Sequence, residues 1–119
     1  MELAVPAWQG SLILLERQDL ERVQRNALHI ILGSEFISYS EALKFVHLDS
    51  LENRRVKLCL KFAKKAEKHV KHSKWFQINT KPTNTRQHKS KYLEVQHKLS
   101  RFKKSPISYL TRILNEHYQ

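Results

Sequence analysis

Residues 51–72 constrain the fold of this chain more than any other stretch. Projected onto a helix at about 100° per residue, Leu51, Leu58, Cys59, Phe62, Ala63 and Ala66 gather on one side, with Val56 and Leu60 widening it. Arg54, Lys57, Lys61, Lys64, Lys65, Lys68 and Lys71 gather on the other, within an arc of about 120°. Such a segment is a helix with one face that must be covered and one that stays in water. The rest of the chain must therefore supply apolar faces to cover it.

It does so with more helices. In ERQDLERVQRNALHIIL, residues 16–32, Leu20, Val23, Ala27, Leu28, Ile30 and Ile31 recur at about 3.6 residues per turn, while Glu21, Arg22, Arg25, Asn26 and His29 fall opposite. Gly33 follows, where a helix closes on a residue of positive φ. Ser38-Tyr39-Ser40-Glu41 has capping-box spacing and predicts a short helix to about Phe45 that buries Ala42, Leu43 and Val46. Asp49-Ser50-Leu51-Glu52 repeats the device and opens the long helix, expected from about Ser50 to His69. Connections of about 4–6 residues join these three helices, as in a small helical bundle.

Beyond Trp75 the periodicity fades. QINTKPTNTRQHKSK is polar, basic and interrupted by Pro82, and reads as an extended linker; YLEVQHKLSRF, 92–102, fits a strand or a weak helix equally. Ser105-Pro106 then gives an N-cap and a proline at the first helical position, with Ile107, Leu110, Ile113 and Leu114 inward. The expected class is all-α: three main helices in residues 1–76, a basic linker over 77–103 and a short closing helix over 104–119. Only two glycines and three prolines in 119 residues agree with helices rather than turn-rich β structure.

Charge points toward function. Residues 1–53 carry four Lys/Arg against eight Asp/Glu, whereas residues 54–119 carry eighteen against three (Glu67, Glu94, Glu116), so the formal charge of +11 is concentrated in the second part. The cationic face of 51–72 contains no carboxylate, Glu67 lying at its flank. A merely solvated helix mixes signs, because Glu and Lys four apart attract; here like charges repel, a cost that a polyanion would remove. The expected partner is nucleic-acid backbone, whether RNA, DNA or an RNA–DNA duplex, held by Arg54, Arg55, Lys57, Lys61, Lys64, Lys65, Lys68, Lys71 and Lys74. A solvated charged surface is the competing reading. Membrane-surface binding is a poorer one, because the apolar face is needed for the core.

Other chemistry is thin. His69 and His72, three apart, together with Cys59 lack the remaining ligands of a zinc site. Cys59 falls on the core side, and Trp75 and Phe76 could stack on a base or plug the core. Two glycines allow no phosphate-cradling loop, and no pair of carboxylates stands out, so neither catalytic residue, metal nor cofactor is expected. One cysteine excludes an intrachain disulfide, and neither a leader nor an apolar run of about 18 residues is evident, so an intracellular site, cytoplasmic or nuclear, is expected.

Four segments, in order, carry a resemblance. ELAVPAWQGSL (2–12), LERVQRNALHIILG (20–33), SYSEALKFVHLDSLENRRVKLCLKFAKKAEKH (38–69) and KSPISYLTRILN (104–115) resemble the C-terminal region of reverse transcriptases of non-LTR, LINE-like retrotransposons. The resemblance implies a place in and after the thumb, the helical subdomain that holds the template–primer duplex. Leu20, Val23, Gln24, Ala27, Leu28, Ile30 and Ile31 match the helix whose apolar side packs that subdomain. Leu51, Glu52, Arg54 and Arg55 match a recurring Leu-Glu-x-Arg-Arg start; Ser105, Pro106, Tyr109, Leu110 and Leu114 match a terminal Ser-Pro helix. The family's paired catalytic aspartates precede this region, and this sequence has no terminal Cys/His knuckle. What is implied is a retrotransposon-derived fragment of an RNA-directed DNA polymerase that binds nucleic acid but copies none.

Two alternatives stay open. The chain could be a retroelement remnant without function, or a helical module that meets protein through apolar surface left by an absent polymerase palm, with VPAW (5–8) and LILL (12–15) as the candidate surface. If the basic face neutralises about five phosphates of a duplex, log K should fall against log salt with a slope near about −4.5.

Overall fold

The computed structural model describes residues 4–79, 91–94 and 98–118. Among them the chain is all-α, with six helices: α1 (Val5–Trp8), α2 (Leu14–Leu32), α3 (Tyr39–Phe45), α4 (Leu51–Lys68), α5 (Ser100–Lys103) and α6 (Pro106–His117). Extended pairing among the described residues is limited to an isolated antiparallel bridge between Ile78 and Tyr92. The chain divides into two compact units, residues 12–57 and residues 1–11 with 58–119. These boundaries differ from the expected breaks at 76/77 and 103/104.

In the unit of residues 12–57, α2 closes at Gly33, whose φ of +53° a glycine reaches without steric cost. α3 starts at Ser38, whose hydroxyl accepts the Glu41 amide at 3.3 Å. Ser50 caps the start of α4 in the same way, accepting the Asn53 amide at 3.2 Å. Two further orphan amides there are taken by α2: the Glu21 carboxylate accepts from the Glu52 N–H at 2.6 Å and the Gln24 side-chain oxygen from the Leu51 N–H at 3.2 Å. Tyr39 donates its hydroxyl to the same two side chains, at 2.5 Å to Glu21 and 3.0 Å to Gln24. Burial and then the bond to Glu21 push the Tyr39 hydroxyl well above the usual phenol range.

These bonds set the rotation of α2, and here the sequence expectation is corrected. Glu21, Gln24 and Leu28, spaced i, i+3, i+7, form the inward row, and Leu28 is the one residue of α2 that is buried. Val23, Ile30 and Ile31, expected inside, are 57%, 80% and 72% exposed. Hydropathy ranked the apolar row as the inner one. The polar row won because it satisfies the amino end of another helix.

The other unit is built on the apolar side of α4. Cys59, Ala63 and Ala66 join Val5 of α1, Phe76, Tyr92, and Tyr109, Leu110, Ile113 and Leu114 of α6 in one buried cluster. Small side chains on α4 permit close approach; Gly10 does the same opposite α6, since a Cβ there would fall 2.8 Å from the Tyr109 Cβ. Ser105 and Pro106 take the N-cap and first-turn places of α6 as expected. Tyr92 and Ser100–Lys103 belong to the stretch expected to be linker, yet Tyr92 is core and Ser100–Lys103 is helix. Residues 80–90 and 95–97 of that expected linker lie outside the described residues.

Candidate nucleic-acid interface

The residues expected to hold nucleic acid separate into three groups. Lys61, Lys65 and Lys68 on α4, with Lys71 and Lys74 just beyond it, are exposed, and Lys64 is half-buried. Among the described residues, none of these six lysines is engaged in an ion pair. Arg54 is exposed, and Lys57, although exposed, is bridged to Asp49. Arg55 is 4% exposed and is removed from the candidate surface. Its position on α4, about 40° from Cys59, puts it on the apolar side, a displacement the Arg-Arg pair concealed.

Glu67, the nearest acid on α4, does not neutralise this row because it is committed elsewhere. Its carboxylate accepts from Tyr92 Oη and, at 2.7 Å, from Tyr118 Oη, and pairs with Lys91 Nζ at 2.9 Å. Burial alone would raise its pKa; the bonds from Tyr92, Lys91 and Tyr118 outweigh burial and bring it down to about 2. In return, burial and then the Glu67 bond push Tyr92 up to about 12, and the Glu67 bond is the main cause that raises Tyr118. Lys91 lies 3.9 Å from the Tyr118 ring centre, so the ammonium is shared between carboxylate and π face.

Beyond α4 the rings of His69, His72 and Trp75 form a stack, with centroids 4.3 Å and 4.4 Å apart and interplanar angles of 23° and 22°. The 3₁₀ turn Ser73–Trp75 continues the three-residue spacing that brings these rings face to face. Phe76 is core, whereas Trp75 remains 38% exposed. The stack uses the two histidines considered for zinc, while Cys59 is fully buried. No group of three or more His, Cys, Asp or Glu suited to a metal occurs among the described residues.

Sequence reading missed a cavity of about 570 Å³ in the same unit, walled by Phe62, Trp75, Leu93, Phe102, Ile107 and Leu110. Its walls come from segments forty residues apart, so no local periodicity could reveal it. No helix among the described residues is long and apolar enough to cross a membrane. Comparison with protein families, curated proteins and solved structures returned no match.

Proposed function

We propose that this chain binds the phosphate backbone of nucleic acid through the lysines of α4 and the turn after it, and performs no reaction of its own. One observation carries the reading: Lys61, Lys65, Lys68 and Lys71 stand exposed at helical spacing while Glu67, the acid best placed to offset them, is held by two tyrosines and a lysine. Uncompensated lysines whose Cβ atoms recur about 5–6 Å apart along a helix suit a row of phosphates, and contacts to phosphate confer affinity without base sequence. The resemblance to the thumb and post-thumb region of LINE-like reverse transcriptases agrees in kind, since that region holds a duplex; descent from a retrotransposon polymerase, with an intracellular site, belongs to this proposal.

Binding of a labelled RNA–DNA duplex, titrated across salt concentration, tests it. With four exposed lysines engaged, the slope of log K against log salt is expected near about −3.6. The count is one below the sequence expectation of about five because Lys57 is bridged to Asp49. Replacing Lys61, Lys65 and Lys68 together by Glu should abolish retention with the circular-dichroism spectrum unchanged. A flat salt response would remove the reading.

Protein docking is the second reading, favoured by the exposed Val23, Ile30 and Ile31 on α2. A chain that sediments as a monomer and melts cooperatively without binding an apolar dye would count against it.

A further inference from the structure

We infer that the cavity between α4 and α6 takes an unpaired nucleobase of a single strand whose phosphates lie on the surrounding lysines. This deepens the backbone-binding proposal and rests on it. The volume of about 570 Å³ lies within the range of small-molecule pockets, roughly 300–1,000 Å³. Its lining is predominantly apolar, and three of its walls are aromatic: Phe62, Trp75 and Phe102, each between one third and one half exposed. Part-exposed rings lining a cavity offer flat π faces, the surface on which bases of any sequence stack. Gln77, Glu94 and Ser108 also line it and contribute hydrogen-bonding groups, Glu94 accepting from Asn115 Nδ2 at 3.2 Å.

Charge decides between a base and an apolar ligand without phosphate. Each aromatic wall has a cation beside it in sequence or on its helix. Lys65 stands three residues after Phe62 on α4, Lys74 immediately precedes Trp75, and Lys103 and Lys104 lie between the lining residues Phe102 and Ser105. All four lysines are exposed. An uncharged apolar ligand has no use for exposed lysines next in sequence or on the same helix to each aromatic wall, and a lipid surface needs a protruding apolar set rather than a recess. A nucleotide matches both parts: the base fills the recess and its phosphate meets the rim. A base in a duplex is already stacked and paired, so the occupant is single-stranded.

The test compares fluorescein-labelled twelve-residue oligomers of thymidine and of uridine with an abasic oligomer of equal length and phosphate count, by anisotropy on the full chain. Both base-bearing oligomers are expected to bind roughly tenfold more tightly than the abasic one, with quenching of tryptophan emission. Phe102→Ala should cut that advantage to about threefold or less while leaving abasic binding within about twofold, the helical spectrum serving as the check on folding. Preference for one base-bearing oligomer over the other reports the base methyl and the sugar 2′-hydroxyl together, and supports the cavity provided both still outbind the abasic strand. Equal affinity for abasic and base-bearing strands overturns the cavity proposal and leaves the lysine row standing. Failure of all three to bind while the RNA–DNA duplex is retained overturns the cavity proposal alone; failure of the duplex as well overturns both. Binding of an apolar dye that the thymidine oligomer does not displace assigns the cavity to another class of ligand and also overturns it.

Discussion

The side-chain amide of Asn115 pairs with both backbone groups of Tyr92: its Oδ1 accepts from the Tyr92 N–H at 2.9 Å, and its Nδ2 donates to the Tyr92 carbonyl at 3.1 Å. Asn115 is buried on α6, so it serves Tyr92 as a neighbouring strand would. Asn115→Leu keeps the branched side-chain skeleton but strands two buried polar groups, and should lower stability by about 3 kcal/mol. A urea melt checks this: the midpoint should fall with the slope unchanged.

Glu67 makes stability acid-sensitive. Its pKa is lowered from 4.5 unfolded to about 2 folded, so its contribution is complete above about pH 4.5 and is lost as pH falls through 2. With the side chain 18% exposed, that contribution is on the order of 2–3 kcal/mol. Urea midpoints of the native chain should drop between pH 4.5 and 2, whereas those of Glu67→Gln should start lower and change less. Parallel pH curves for the two would contradict the assignment.

Gly10 is limited by space. An added Cβ would stand 2.8 Å from the Cβ of Tyr109 and 3.1 Å from the Lys104 carbonyl oxygen, neither of which is the end of a flexible side chain. Gly10→Ala is expected to cost about 1–3 kcal/mol, read as a lowered melting temperature. At Gly33, where nothing lies within 4 Å, the same substitution should act only through its positive φ.

Lys57 and Lys65 should differ in binding although both lie exposed on α4. Asp49 already offsets Lys57, so Lys57→Ala should change the duplex salt slope less than Lys65→Ala, which should reduce it by about 0.9. Asp49→Asn removes the offset and should tighten binding. Salt titrations of the three variants separate these outcomes.

Tyr39→Phe removes the donor shared by Glu21 and Gln24, the two side chains that cap α4. About 2 kcal/mol should be lost, chiefly from the bond to the charged partner. Hydrogen exchange at the Leu51 and Glu52 amides should rise more than exchange at the centre of α2.

Much of the helical framework was legible, because caps and apolar spacing are local. Ser38, Ser50 and Pro106 mark helix starts in sequence and do so in space. What local pattern could not convey was which side chains bond across elements. Glu21 read as a solvent-facing residue until the orphan amides of α4 are placed opposite it, and Arg55 read as part of the basic face until its rotation into the apolar side is known. Tyr92 lies in a basic stretch, and it is core through partners such as Phe76, Asn115 and Glu67, each more than fifteen residues away. The lysine row needed only the helix register; the aromatic cavity needed tertiary structure.

The bridge between Ile78 and Tyr92 has a consequence for chain continuity. Asn79 donates to the Lys91 carbonyl at 3.0 Å and Leu93 to the Gln77 carbonyl at 2.7 Å, while Phe76 and Tyr92 share the same buried cluster. Both flanks of the intervening sequence are thus fastened independently of the covalent path between them. Two peptides, one ending and the other beginning within 80–90, should therefore reassemble on mixing, with α6 carrying the second fragment back to its seat.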